Sequence, residues 1–543
     1  MKHGRLLTLC CAALTLVALV VWWRESRPIS VVDAPAGKLD CLSYTPPHDE
    51  QLLRTSIVPR AQLQHDLALL APRVRCVRIY SVANGMDQVP AIARELGLKV
   101  LLGLWIGADA LHNQQEIKLG LEVAARDSDV VEAVIVGNEV LLRHELTAEQ
   151  LGLLITQVNA ATDIPVTYAD VWDFWKANPT LATTVDFLTI HLLPYWDDKP
   201  TGIDAALAHT ASVYGEARVT FPKQRVFIGE TGWPSQGRQR ADAAPGVVAQ
   251  ARFVREFTRW AHDNDIQYNL IEAFDQPWKR QQEGTVGGYW GLYDTAGQAK
   301  FALQGPVQES SRSQLGYWCA GLGALAAVLL WCWRTARRAP ARLLQLLSAG
   351  ALLGALLPLQ WQYLSVTNRG LSEWLLSTLV VLAGNVLSVW LLLVSGLSAQ
   401  GELPKPASLG TSLLGFDRRG LPKPPAGANP VLGLLRLIVL IGLSYVCLGL
   451  AIDARYRGFP ISLYVLPLAT LTVLQLEQRQ GWRIVRQQMP EEWLLTLLCG
   501  LSAVIFAIRE GLNNPPALLL AGLVLCFAAS QLWPRNRSAS QDQ

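Results

Sequence analysis

VEAVIVGNE (131–139) and RVFIGETGWPS (225–235) are two apolar, β-prone runs, each carried to a glutamate at its end. Asn138 and Glu139 close the first, and Glu230, with Trp233 just beyond, closes the second. Six more runs of the same kind recur along the chain: LDCLSY (39–44), RCVRIY (75–80), LKVLLGLWI (98–106), IPVTYA (164–169), VDFLTI (185–190) and YNLIEAF (268–274). Between them lie segments such as RAQLQHDLALLAPR, QVPAIARELG, TAEQLGLLITQVNAA and VVAQARFVREFTRWAHDN, whose apolar residues return every three or four positions. That spacing is one face of a helix laid on a sheet, so strand and helix alternate and the strands are predicted to be parallel. Gly97 reads as a helix stop, and Thr147 with Glu149 and Gln150 as a helix start. Eight strand–helix units in residues 38–305 match the roughly 250 residues of a (β/α)₈ barrel. The runner-up, an open doubly wound sheet, lacks its G-x-G-x-x-G turn after the first strand.

At 543 residues the chain is too long for one growing core, and 51% hydrophobic residues exceed what a soluble protein carries. The excess gathers into eight apolar stretches, at about 6–23, 316–333, 342–360, 374–397, 431–452, 458–475, 493–508 and 516–533. The first follows Lys2 and Arg5 and ends in Val21, Trp22, Trp23 and Arg24, flanks that favour an uncleaved anchor over a signal peptide. The stretch at 493–508 is the shortest. Basic loops (RTARRAPAR at 334–342, Lys405 to Lys423, Arg479 to Arg486, and Arg535 with Arg537) put alternate loops and both termini in the cytoplasm. The long segment after the first span then lies outside, periplasmic if the envelope is bacterial. Within the spans Arg436 is close enough to the cytoplasmic end to snorkel, and Asn385 can bond a neighbouring helix. The expected organisation is an α/β TIM barrel plus an all-α transmembrane bundle: anchor and linker at 1–37, barrel at 38–310, seven-span region at 311–543.

A net charge of +3 gives no concentrated basic face, which excludes nucleic acid as a partner. Seven of the nine cysteines sit in apolar runs. Cys41 and Cys76 remain, near the starts of two adjacent parallel strands, where neighbouring-strand geometry is often unsuitable for a disulfide; the sequence leaves their pairing open. No His, Asp or Cys cluster has metal-ligand spacing in the barrel segment, so neither a metal nor a cofactor is expected.

In a closed barrel, chemistry sits at the C-terminal tips of the strands. Strands four and seven stand on opposite sides of the mouth, so Glu139 and Glu230 can approach one bond from two faces. Glycosidic cleavage needs that: one carboxylic acid protonates the departing oxygen while the other carboxylate attacks the anomeric carbon or activates water. The two motifs resemble the signature segments of glycoside hydrolase family 17, the β-1,3-glucanases and β-1,3-glucan transglucosylases, over most of residues 39–305. The resemblance implies that Glu139 is the acid/base, that Glu230 is the nucleophile of a retaining reaction, and that Asn138 bonds the sugar 2-hydroxyl. Retention implies carboxyls about 5–5.5 Å apart.

IEAFDQPWKRQQEGTVGGYWGLYD resembles the family segment that closes the site, with Lys279 and Glu283 at the matching lysine and glutamate. Gln276 departs from an acidic residue found in many members, and His191 replaces a more usual Asn, which leaves it as a sugar contact. Tyr44, Tyr80 and Tyr195 complete the list of candidate substrate contacts, Tyr80 and Tyr195 on segments that resemble family strands two and six. Trp172, Trp175 and Trp196, just past strands five and six, are candidate platforms for a sugar face, as is Trp233. The implied partners are a β-glucan and membrane lipid, with a glucan synthase as a third. The expected function is a membrane-anchored glycosidase, a retaining β-1,3-glucanase or transglucosylase, at a bacterial inner membrane. The rival class is a glucan-binding or export partner of a synthase.

Overall fold

A computed structural model describes residues 5–47, 56–310, 313–333, 340–397, 405–406, 428–453, 455, 457–477 and 490–532. The chain divides into two compact units, Pro28–Glu309 and Met1–Arg27 with Ser310–Gln543.

In the first unit eight parallel strands close on themselves in sequence order: β1 (Leu39–Ser43), β2 (Val74–Ile79), β3 (Lys99–Leu104), β4 (Val131–Asn138), β5 (Val166–Val171), β6 (Leu188–His191), β7 (Val226–Thr231) and β8 (Tyr268–Leu270), with β8 paired to β1. Helices alternate with the strands, among them Arg60–Leu70, Ala110–Arg126, Ala148–Asn159, Ile203–Thr220 and Val247–Asp263. The barrel expected from the sequence is the fold observed. Thr147 caps the Ala148–Asn159 helix, accepting from Gln150 N while the Gln150 side chain accepts from Thr147 N. Gly97 takes a left-handed backbone (φ 69°) that a side chain would strain.

Side chains alternate across each strand, and two separate apolar cores result. One includes Leu42, Val77, Ile79, Val100, Val134, Ile190 and Ile228 together with helix residues such as Leu63, Ile92 and Ile117, so it fills the space between strands and helices. The other contains Cys41, Cys76, Leu101, Ala133, Ile135, Ala169, Phe187 and Phe227, all from strands or their immediate approaches, and plugs the barrel interior. Cys41 and Cys76 are register partners on β1 and β2, with both side chains in that interior core, and they form a disulfide with Cα atoms 4.5 Å apart. A crosslink between residues 35 apart stabilises the fold by about 2–4 kcal/mol.

In the second unit, seven helices among the described residues are long and apolar enough to cross a membrane: Arg5–Ser26, Gln314–Trp333, Arg342–Thr367, Leu371–Ser395, Pro430–Ile452, Glu491–Glu510 and Pro515–Leu532. They point to a multi-pass membrane segment. The remaining stretch, 458–475, forms a helix too, but Ile461–Glu477 has 17 residues, about 25 Å of rise against the roughly 30 Å of a bilayer core. The stretch that looks shortest by apolarity is, by contrast, a 21-residue helix, Pro490–Glu510. Its polar ends are neutralised in pairs, Glu492 by Arg436 and Glu510 by Arg457. Arg436 therefore does not snorkel; it is 1% exposed, with Nη2 2.6 Å from Glu492 Oε2. Asn385 bonds across helices as expected, exchanging amide hydrogen bonds with Gln360. The basic loops that set orientation lie, nearly whole, outside the described residues.

Candidate active site

Glu139 follows the last residue of β4 and Glu230 is the fifth residue of β7. Gly137 (φ 88°) and Glu139 (φ 52°) both adopt left-handed backbone, which turns the chain at the strand tip. Such a conformation costs a non-glycine residue about 1–2 kcal/mol and is retained where surroundings impose it. Here the Glu139 N–H is tied to Ala169 O of β5 at 2.8 Å. On β7, Gly229 leaves room for its neighbour, since a Cβ there would meet Thr189 Cγ2 at 2.4 Å and His191 Cδ2 at 3.1 Å.

An oxygen of Glu139, an oxygen of Glu230 and a ring nitrogen of His191 lie within 4.8 Å of one another. His191 Nδ1 is 2.8 Å from Glu139 Oε1 and 3.7 Å from Glu230 Oε2, so the imidazole is hydrogen-bonded to Glu139 and stands beside Glu230. That is a different place from a sugar contact alone. The carboxylates differ in access: the Glu139 side chain is 23% exposed, that of Glu230 5%. Water reaches the first far more readily than the second.

Arg78, in the middle of the apolar run RCVRIY, holds the buried side of the site. Its Nη1 donates to Glu230 Oε1 (3.1 Å) and to Gly229 O (2.8 Å), and its Nη2 donates to Asn138 Oδ1 (2.6 Å). A guanidinium has donors only, so the Asn138 amide must present its oxygen to it. Tyr80 OH donates to Glu230 Oε1 at 2.8 Å and lies 2.8 Å from Ser43 Oγ, which accepts from Asn269 Nδ2 at 2.8 Å. Sequence reasoning missed Arg78, Ser43 and Asn269; the available signal was a polar residue inside each apolar strand.

Charge follows geometry. Burial favours neutral His191, but the negative charge of Glu230 and the hydrogen bond and charge of Glu139 outweigh it, raising the ring above its ordinary value. Burial likewise pushes Glu139 up, yet the His191 hydrogen bond and the charges of His191, Arg78 and Arg143 hold its carboxyl below the ordinary value. Each shift favours the charged form of its group, an imidazolium beside a carboxylate. Although Glu139, His191 and Glu230 could each offer a ligand atom to a cation, His191 Nδ1 is engaged by Glu139 and the Arg78 guanidinium stands 3.1 Å from Glu230. Both features oppose a metal ion there.

Most of the other aromatic candidates pack inward. Tyr44 is fully buried with its hydroxyl on Asp66 (2.9 Å); Tyr195 is fully buried with its hydroxyl on Arg238 O (2.6 Å). Trp233 and Trp175 are core residues whose ring N–H groups donate to Ala244 O and Thr189 O, and Trp172, 5% exposed, packs edge-on to Phe221. At this degree of burial none of the three rings opens a face to solvent. Trp196 remains half-buried, stacked on Trp290 at 6.2 Å. Trp105, 36% exposed, carries the Arg143 guanidinium 4.3 Å from its ring centre. Lys279 and Glu283, by contrast, border the site: Lys279 donates to Glu272 Oε2 at 2.8 Å and feels the charge of Glu230, and Glu283, on the following turn, feels the charges of Lys279, Glu139 and Glu230.

Comparison with known proteins finds relatives of the chain. Residues 41–291 match the BtgE/BtgC glycoside hydrolase domain. The chain is similar to "Glucan 1,3-beta-glucosidase" of Schizosaccharomyces pombe, 30% identical over 249 residues that make up 42% of this chain and 76% of that one. It is similar as well to "Probable glucan endo-1,3-beta-glucosidase btgC" of Aspergillus fumigatus, 28% identical over 298 residues, 49% of this chain and 41% of that protein's length. Among solved structures, the glycoside hydrolase family 17 beta-1,3-glucanosyltransferase from Rhizomucor miehei aligns with 49% of this chain and 97% of its own, at 25% identity and a TM-score of 0.44.

Proposed function

This chain belongs to the BtgE/BtgC glycoside hydrolase family, related to the family 17 β-1,3-glucanases, and from that membership we propose that it is a membrane-anchored retaining glycosidase or transglucosylase acting on β-1,3-linked glucan. The observation that carries the reading is the approach of Glu139 and Glu230 to within 4.8 Å, shorter than the roughly 6.5–9.5 Å an inverting pair leaves for water. Glu230, buried and held by Arg78 and Tyr80, attacks the anomeric carbon while the bond to the departing oxygen breaks; the proton held between His191 and Glu139 passes through Glu139 to that oxygen. Asn138, pinned through its oxygen, turns its amide hydrogens to the sugar 2-hydroxyl. Water or a second glucan hydroxyl, deprotonated by Glu139, then frees the sugar from Glu230 with net retention.

The catalytic unit, residues 38–310, faces the periplasm in this reading, between an anchor at 1–37 and the helical region at 311–543, where it remodels periplasmic β-glucan during its synthesis. Two facts support that side: the Cys41–Cys76 disulfide suits an oxidising compartment, and the basic loops favour a cytoplasmic face for the opposite ends of the spans. Incubating the intact chain in detergent with laminari-oligosaccharides should give shorter or longer products whose newly formed anomer is first β by NMR. A first-formed α anomer, or no product, would discard the retaining reading.

The His191–Glu139 pair adds a pH prediction. His191 is raised, so its stabilisation is full below the unfolded value of about 6.5 and lost as pH rises through the folded value. Glu139 is lowered, so its stabilisation is full above about 4.3 and lost as pH falls through the folded value. The pair therefore contributes fully between about pH 4.3 and 6.5 and holds one proton until His191 gives it up. The alkaline limb of kcat/KM should lie above about 6.5 and move down in His191→Asn. An unmoved limb would take His191 out of the proton inventory.

A further inference from the structure

Glu272 stands just past β8 at a point where the chain is fixed on both sides. Ile271 N donates to Thr231 O of β7 (2.9 Å) and Ala273 N to Ser43 O of β1 (2.8 Å), so Glu272 is wedged between the tips of the two strands that carry Glu230 and Ser43. Its own N–H donates to Trp290 O and its carbonyl accepts from Leu292 N. The side chain is 1% exposed. Oε2 accepts from Lys279 Nζ at 2.8 Å, whereas Oε1, buried alike, has no hydrogen-bond partner among the described residues. A buried carboxylate oxygen lacking a donor is expensive, and such groups in native proteins usually answer to something outside the chain.

The surroundings name the donor. Burial raises the Glu272 carboxyl, Lys279 draws it down and the charge of Glu230 raises it again; the Tyr80 hydroxyl, bonded to Glu230, feels the charge of Glu272. The chain bonds on either side of Glu272 reach Thr231, next to Glu230, and Ser43, whose hydroxyl lies 2.8 Å from Tyr80 OH, so Glu272 borders the Glu230–Tyr80 corner, where a sugar attacked by Glu230 must sit. We propose that Glu272 Oε1 accepts a hydrogen bond from a hydroxyl of the glucosyl unit seated over Glu230, with Lys279 fixing the carboxylate, so that Glu272 is a substrate-positioning residue. The inference rests on Glu230 as the nucleophile of a glucan-active enzyme.

The test uses the intact chain in detergent and a series of aryl β-laminaribiosides, each lacking one hydroxyl of the glucosyl unit at the cleaved bond. In the wild type, loss of the hydroxyl that meets Glu272 should lower kcat/KM about 10–100-fold, the range of a hydrogen bond to a charged group. In Glu272→Gln the amide oxygen turns to Lys279 and the NH₂ replaces Oε1, so the cost at that one position should fall below about 5-fold while the others keep theirs. An identical pattern of costs in both proteins overturns the proposal. Should Glu272→Gln fold poorly, Glu272→Asp retains the charge one carbon short and must show the same selective fall. A wild type that turns over the parent glycoside but shows an unaltered pattern in the variants removes Glu272 alone; a wild type inert on every laminari-oligosaccharide removes the reading of the site and this inference with it.

Discussion

Glu230→Gln is expected to lower turnover of laminari-oligosaccharides by on the order of 10⁴-fold or more. The amide keeps the volume of the carboxylate and can still accept from Tyr80 OH at the 2.8 Å position, so the loss falls on bond formation to the anomeric carbon. Glu139→Ala should cost about 10²–10⁴-fold with a sugar leaving group and far less with an aryl leaving group that departs without a proton. Azide separates the two roles. In Glu230→Ala it attacks the anomeric carbon from the emptied face as the aryl group leaves, giving an α-glycosyl azide. In Glu139→Ala the glycosyl enzyme still forms on Glu230, and azide displaces it to give the β product. Crossed stereochemistry would exchange the roles of the two residues, and unaltered turnover in Glu230→Gln would end the enzymatic reading of the pair.

Much of the barrel is legible because burial writes it twice: strands buried on both faces read as continuous apolar runs, and helices as stripes. The glutamates at 139 and 230 stand out because each interrupts such a run at its tip, the one place a barrel exposes charge to a ligand. The boundaries are less legible. YNLIEAF reads as one strand through residue 274, yet β8 stops at Leu270, because Glu272 turns its backbone to Trp290 and Leu292. What remains hidden is whatever depends on closure. Arg78 and Glu230 are 152 positions apart and meet only when the interior faces of β2 and β7 look at one another across the barrel. Position past a strand tip does not say which way a ring points, so Trp172 and Trp175 look like platforms but pack inward. The Cys41–Cys76 pair depends on register to a single residue, since a slip by one would turn one sulfur toward the helices.

Arg78→Leu is the variant that tests the frame beneath the carboxylates. Arg78 is 1% exposed and donates to three acceptors, one of them the buried carboxylate of Glu230. Removing one partner of a buried ion pair costs about 3–5 kcal/mol, because the other charge is left without compensation. For a domain of this size that is a fall of about 6–20 °C in the barrel's unfolding midpoint. Activity should fall as well, by about 10²-fold or more, since Glu230 and Asn138 lose the common donor that sets their separation. Arg78→Lys keeps the charge but not the fork that spans Glu230, Gly229 and Asn138, so it should regain much of the midpoint and little of the activity. Glu230→Gln alone also leaves a bare charge, that of Arg78, and destabilises. Combined with Arg78→Leu it removes both charges, and the double variant should unfold at a higher temperature than the sum of the single losses allows, with a coupling of about 2–3 kcal/mol. Additive losses would mean that the pair, though 3.1 Å apart, is not energetically coupled in the fold.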